Sequence, residues 1–313
     1  MHHQPGASVS RIAVAVISYN TRELLHACLA SVLADGAREV VVVDSGSSDG
    51  SAAMVRAHFP TIAVEDGLGN RGYGGASNAA LARCSAPYVL LLNADTVVHP
   101  GALAALADYL DAHPATGLVG PQLLNPDGTA QPSCFPFPGT LGWLLENDPV
   151  APALGWLPPA RRRLLRFAPP TQPAAVPWVL GAALAIRRSA FAAVGGFDES
   201  FFMYFEEVDL CLRLARAGWE THVVPHARVT HVGGASTSQV RTEMIVHHFR
   251  STLHFYRRHY RGAQLAFWLG VMRAKMAFRI VRDGSALVVR PARRPELRGR
   301  LAAWRAALLA GRP

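Results

Sequence analysis

Two adjacent glutamates and an aspartate, Glu206, Glu207 and Asp209, follow directly on the apolar run Phe201, Phe202, Met203, Tyr204, Phe205. Carboxylates set against apolar side chains lose hydration, which raises their pKa and suits them to take a proton from a hydroxyl. After Phe205, the residues Val208, Leu210, Leu212, Leu214 and Ala215 mix with Arg213 and Arg216 at helical spacing, and Gly218 supplies a stop. The acids therefore occupy the opening turns of a helix. A plain structural role is open to them there, since acids in a first turn complement the helix dipole for a few tenths to about 1 kcal/mol each. The aromatic wall is what such a role does not need. Asp209 faces elsewhere on the helix and is expected to brace the site through Arg213, one turn on.

Polar groups of a second kind end apolar runs. Residues 11–20, RIAVAVISYN, form a continuous apolar stretch of the kind buried on both faces of a parallel sheet, and a helix pattern follows over 21–34 with Thr21 as N-cap. Residues 39–51, EVVVVDSGSSDGS, give a second buried strand that delivers Asp44 into a Ser/Gly turn, and 87–95, PYVLLLNAD, deliver Asn93 and Asp95 in the same way. In open α/β sheets ligands bind at the carboxyl edge of the strands, so these acids point to a nucleotide and a metal.

These stretches, in order, are VISYN, VVDSGSSDGS, NRGYGGASNAA at 70–80, LLLNADT, GGFDESFFMYFEEVDLCLRLARAGW and HVGGAS at 231–236. Together they resemble the inverting family 2 glycosyltransferases of the GT-A fold over roughly residues 11–260. FFMYFEEVDLC, HVGGAS and the basic HHFRSTLHFYRRHY at 247–260 are most similar to bacterial rhamnosyltransferases of cell-wall and O-antigen assembly. The resemblance implies an α/β chain with a mostly parallel central sheet flanked by helices, and a C-terminal set of basic amphipathic helices. It implies a nucleotide-sugar donor, dTDP- or UDP-linked, held by Ser18, Asn20, Asp44, Ser45, Asn70, Arg71, Gly72, Asn93 and Asp95, with Asp44 accepting the ring N–H of uracil or thymine. Mg²⁺ or Mn²⁺ would be bound by Asp95 and His231, although the family commonly has Asp-x-Asp where this chain has Asn93-Ala94-Asp95. Glu207 is the expected base, with Glu206 as competitor because Glu206-Glu207 stands where the family usually has Glu-Asp. Trp178, Gly181, Ala182, Asp198 and Glu206 are the expected acceptor-side residues. The expected reaction is inverting transfer of L-rhamnose from dTDP-L-rhamnose to a glycan or polyprenyl-linked saccharide, with another UDP-, dTDP- or GDP-sugar as the alternative.

Composition fits that reading. The chain has 313 residues, half of them hydrophobic, enough for one large α/β domain with an appendage. Cys28, Cys84, Cys134 and Cys211 lack metal-ligand spacing and read as reduced core thiols. The opening MHHQPGASVSR has no apolar signal-peptide segment, and no apolar stretch reaches the ~18 residues of a membrane span, so a cytoplasmic protein at the inner face of the membrane is expected. The expected division is a tail at 1–10, a catalytic domain at 11–238 and a basic helical extension at 239–313. Within the catalytic domain lie a donor half to about 131, a proline-dense excursion at 132–177 carrying Arg161–Arg163, and an acceptor half from 178. That excursion reads equally as an acceptor flap or as a plain surface loop.

The net charge of +9 is uneven: residues 239–313 hold 16 Lys and Arg against three acids, leaving the rest at −4. Patterns at 263–281 and 296–310 suit helices lying in a membrane interface, with Phe267, Trp268, Phe278 and Trp304 toward lipid and arginines toward headgroups. The plainer reading packs those helices on the catalytic domain. Nucleic-acid binding would use the basic region but leave the acids at 44, 95 and 206–209 without purpose, so no nucleic-acid partner is expected. Residues 67–72, GLGNRG, match a dinucleotide fingerprint, yet that fingerprint belongs to the first strand and helix of its unit, where this chain has the glycine-free SYNTRE. A homodimer is compatible with the sequence, and no residue pattern decides it.

Overall fold

The computed structural model describes residues 11–139, 170–234, 241–289 and 294–310. The tail at 1–10, Arg161–Arg163 with most of the proline-dense excursion, and Ala235–Ser236 lie outside the described residues.

The donor half alternates strand and helix: β1 (Ile12–Ser18), α1 (Arg22–Ala34), β2 (Val40–Asp44), α2 (Ser51–His58), β3 (Ala63–Glu65), α3 (Gly72–Arg83), β4 (Tyr88–Asn93), β5 (Thr96–Val98), α4 (Ala102–Ala112) and β6 (Thr116–Leu124). There follow β7 (Cys134–Phe135), β8 (Ala174–Ala175), β9 (Trp178–Val179), β10 (Ala183–Arg187), α5 (Arg188–Ala193), α6 (Glu206–Arg216) and β11 (Glu220–His231). Three helices close the chain: α7 (Arg241–His259), α8 (Gly262–Val289) and α9 (Arg294–Ala310).

The main sheet runs β3-β2-β1-β4-β10-β6-β11-β5, with β8 added on β11, while β7 and β9 pair separately. β1 to β4 are mutually parallel, as their unbroken apolar runs predict. β10 enters antiparallel between β4 and β6, and β5 and β8 run antiparallel to β11, so the sheet is mixed beyond β4. Side-chain alternation divides the apolar strands between two layers. Val14 and Val16 face a layer built with Leu25 and Leu29 of α1, Val55 of α2 and Leu106 and Leu110 of α4. Ala13 and Ala15 face the opposite layer, with Ala76 and Ala80 of α3 and Leu210, Cys211 and Leu214 of α6. All four cysteines are buried and free, as expected of core thiols.

The C-terminal helices depart from expectation. Phe201, Phe205 and Val208 share a third core with Phe249, Phe255 and Tyr256 of α7, Trp268, Met272 and Met276 of α8, and Trp304 of α9. Packing therefore continues across the expected boundary at 238, because α6 needs a second apolar cover on the side away from the sheet. Trp268 and Trp304, expected toward lipid, are 5% and 4% exposed. The indole N–H of Trp304 donates to Asp283 at 3.0 Å, and Arg300 joins the same buried carboxylate, which fixes the ring inward. Phe267 and Phe278 do face outward, at 56% and 45% exposure. Among the described residues, no helix is long and apolar enough to cross a membrane.

Candidate active site

The strand order gathers the functional ends on one edge. Because β1, β2 and β4 are parallel, Ser18, Asp44 and Asn93 end side by side. β10 runs the other way, so Gly181 and Ala182, just before it, reach the same edge. His231, at the end of β11, pairs with Thr96 of β5 and so stands beside Asp95. A cavity of about 330 Å³ opens here, lined on the strand side by Ser18, Ser45, Asn93, Asp95, Gly181, Ala182 and His231 and on the helix side by Glu206 and Glu207.

The two glutamates are held under strain. Tyr204 and Phe205 adopt left-handed backbone angles, φ 68° and 71°, which non-glycine residues rarely take and which mark positions fixed by their surroundings. The turn they make starts α6 with both glutamates buried, at 4% and 8% exposure. One oxygen of each carboxylate, Oε2, has no hydrogen-bond partner among the described residues. Burial pushes both carboxyls up. Glu206 goes well above the usual range because the neighbouring Glu207 charge adds to desolvation, whereas backbone amides around Glu207, including that of Gly181, partly offset its burial. Asp209 behaves oppositely. Burial raises it, but His259 and Arg213 more than offset this and hold it below the carboxylate norm. Arg213 Nε donates to it at 2.7 Å, the bracing role expected from sequence.

Across the cavity, His231 Nε2 and Asp95 Oδ1 lie 3.4 Å apart, both residues being about 8% exposed. Among the described residues no three His, Cys, Asp or Glu side chains form a metal cage. Asp95 and His231 thus stand as a pair.

The other sequence-predicted residues divide. Ser18, Ser45, Asn70, Gly72 and Asn93 reach the cavity wall; Asn20, Asp44 and Arg71 do not. Asn20, itself at φ 51°, accepts from Ser48 N and thereby pins the turn after β2. Asp44 lies behind Ser45 and accepts from the amide and hydroxyl of Ser47; burial raises its pKa. Arg71 points to Glu199 at 2.6 Å. Gly72 is at φ 72°, and a Cβ there would fall on the Phe202 carbonyl, so only glycine lets α3 start this close to the aromatic run. On the acceptor side, Gly181 and Ala182 line the cavity, but Trp178 packs on Phe135 with its N–H on Pro136 O, and Asp198 binds Arg258 at 2.8 Å. Phe202, Met203 and Tyr204 line the cavity as part of the apolar wall expected from sequence, whereas sequence reasoning missed Glu243, Met244 and His247 of α7. The His247 ring stacks on Phe202 at 4.4 Å. The clue was the apolar run itself, which needed a partner from elsewhere in the chain.

Residues 10–259 match the glycosyltransferase-like family 2. The chain belongs to that family. Among curated relatives, the N-acetylglucosaminyl-diphospho-decaprenol L-rhamnosyltransferase of Mycobacterium tuberculosis is 32% identical over 305 residues, covering 93% of this chain and 96% of the relative. Rhamnosyltransferase WbbL of Escherichia coli K12 is 36% identical over 83 residues, 26% of this chain and 31% of its own. Among solved structures, the mannosyltransferase PcManGT of Pyrobaculum calidifontis, in complex with GDP-Man and Mn²⁺, aligns with TM-score 0.55 at 20% identity over 96% of this chain and 86% of its own. The likeness confirms the GT-A fold. As a family 2 glycosyltransferase the chain is a sugar-transferring enzyme, and the dinucleotide reading of GLGNRG falls away; its last glycine instead seats α3 against Phe202.

Proposed function

We propose that this glycosyltransferase moves L-rhamnose from dTDP-L-rhamnose, with inversion, to a hydroxyl of a polyprenyl-diphosphate-linked N-acetylglucosamine. The observation that carries the reading is the cavity itself, with two buried, raised-pKa carboxylates on one wall and the Asp95–His231 pair on the other. Near full-length similarity to a rhamnosyltransferase named for that lipid-linked acceptor supports the choice of substrates.

Inverting transfer needs a base on the face of the sugar opposite the leaving diphosphate. Burial raises both carboxyls, and we assign the proton of the pair to Glu206, which also feels the charge of Glu207, and the ionised role to Glu207. Glu207 then takes the acceptor hydroxyl's proton, while neutral Glu206 can donate a hydrogen bond to the acceptor. Gly181 and Ala182 floor the acceptor side, and Phe202 stacked on His247 offers a flat apolar surface for a sugar ring. On the donor side Ser18, Ser45, Asn70 and Asn93 line the place for the nucleotide diphosphate.

The Asp95–His231 pair fits a divalent cation, since both atoms carry lone pairs, are shielded from water and lie close enough to share one ion. When bound, Mg²⁺ or Mn²⁺ would neutralise charge on the departing diphosphate. The membrane is the natural place for a polyprenyl acceptor. Phe267, Ala274, Phe278 and Val281 form an exposed apolar stripe along α8 with Arg273 beside it, the composition of an interfacial face. Phe267→Ser with Phe278→Ser should weaken sedimentation with anionic vesicles, and equal sedimentation of variant and wild type would end the membrane reading.

The deciding experiment offers the full chain dTDP-L-rhamnose, UDP-N-acetylglucosamine or GDP-mannose with a polyprenyl-diphosphate N-acetylglucosamine and identifies the product by mass. Rhamnosylation of the lipid is expected. Transfer from one of the other donors alone would overturn the donor assignment.

A further inference from the structure

We propose that Gln131 is a positioning residue that locks His231 in its Nδ1–H tautomer, so that a bare Nε2 faces Asp95. The consequence for cation binding rests on the Asp95–His231 reading above; the tautomer follows from hydrogen bonds alone.

The direction of each bond is dictated by groups that can only accept. Asp127 Oδ1 receives the hydroxyl of Thr129 at 2.6 Å and its amide at 2.9 Å. With its proton spent there, Thr129 Oγ1 must accept, and it does so from Asn125 Nδ2 at 2.9 Å. That sets the Asn125 amide with Oδ1 toward Gln131 Nε2, 3.0 Å away. Gln131 Oε1 is therefore the atom left facing His231 Nδ1, at 2.8 Å. An amide oxygen has no proton to give, so Nδ1 must carry one. The solvent-facing end of this relay is open to water, but Gln131 has a second anchor. Its Nε2 also reaches the His231 carbonyl at 3.3 Å, another group that only accepts. Both anchors give the same amide orientation.

The turn is built to carry this relay. Asn125 N donates to Thr129 O at 2.8 Å and Gly128 N to Asn125 O at 2.9 Å, with Gly128 at φ 82° closing the loop. The opposite tautomer would aim an N–H at Asp95 from 3.4 Å, longer than an ordinary N–H···O bond, and would occupy the lone pair a cation needs. Partners that orient a metal-binding histidine in this way typically change metal affinity by roughly 10–100-fold when removed.

The test reads the tautomer directly. Metal-free, full-length protein labelled with ¹⁵N-histidine is examined above neutral pH by long-range ¹H–¹⁵N NMR, with the His231 ring signals assigned by their loss in His231→Ala. Wild type should show protonated Nδ1 and bare Nε2. Gln131→Leu should shift the ring to a mixture or to Nε2–H, and Gln131→Glu, which keeps an acceptor at Nδ1, should restore the wild-type pattern. In a Mn²⁺ titration with dTDP present, Gln131→Leu should bind roughly 10–100-fold more weakly. Wild type in the Nε2–H form overturns the proposal without any variant, and so does Gln131→Leu with an unchanged ring. If the tautomer responds but wild type binds no Mn²⁺, the lock is supported and the cation reading fails.

Discussion

His259, the last residue of α7, donates its Nε2–H to Oδ1 of Asp209 at 2.7 Å, tying the C-terminal helices to the helix that carries the two active-site glutamates. A guanidinium cannot accept, so Arg216 must be donating to His259 Nδ1 at 2.8 Å, and the ring is accordingly a neutral bridge between the two. Arg213 and Arg258 reach the same fully buried carboxylate. Asp209 is thus the joint between the sheet-bound half of the protein and α7, whose residues finish the cavity wall.

Removing that joint leaves the partly buried Arg213 and the buried His259 N–H without their acceptor, a loss of about 1–3 kcal/mol in comparable cases. Asp209→Ala should destabilise by that amount in urea unfolding and weaken acceptor use before donor binding. Its depressed pKa means the stabilisation is present above the ordinary carboxylate range and is lost as pH falls through the lowered value, so the gap between variant and wild type should close in acid.

Trp304 fills the third core with Phe249 and Trp268, so Trp304→Ala should cost about 3–5 kcal/mol. Deleting everything after Arg261 removes Trp268, Met272, Met276 and Trp304 together. Near-UV circular dichroism should show that the shortened chain loses fixed packing around α6 and α7. A truncated protein with native spectra and intact donor affinity would contradict the shared core.

Glu207→Gln should lower kcat by ~10² to 10⁴ while leaving donor affinity near wild type. Glu206→Gln should keep much more activity and leave the acid limb of the rate profile near its wild-type position, because Gln, like protonated Glu206, is neutral beside Glu207. Equal, mild losses in both variants would show that neither is the base.

Folding raises the Glu206 pKa above its unfolded value, so its contribution to stability is greatest below the unfolded pKa and is lost as pH rises through the folded one. Glu206→Gln abolishes that dependence. The melting temperature of the variant relative to wild type should therefore climb with pH from the ordinary glutamate range upward, and a constant difference would refute the burial argument.

Asp95→Asn removes the carboxylate facing His231, and it should abolish divalent-cation dependence along with most activity. A chelator should silence the wild type equally. Full turnover in excess chelator is the result that would remove the cation from the mechanism.

The apolar strand runs, with Ser18, Asp44 and Asn93 at their ends, made the donor half and its ligand edge readable from sequence, since a doubly covered parallel strand can bury only such runs. The acids at the start of α6 were readable too, because three carboxylates after five apolar residues have few innocuous uses. Three matters depended on the tertiary structure. Asp95 and His231 are 136 residues apart and meet only through the β5–β11 register. Trp178, Asp198, Asn20 and Arg71 sit in the right motifs, yet their side chains are taken up by neighbours that no local pattern reveals. The basic C-terminal helices carry apolar residues on more than one face, and hydropathy cannot say which face meets lipid and which meets protein. Packing against Phe201, Phe205 and Val208 decided that Trp268 and Trp304 go inward and Phe267 and Phe278 outward, because the apolar side of α6 turned away from the sheet is covered by those helices.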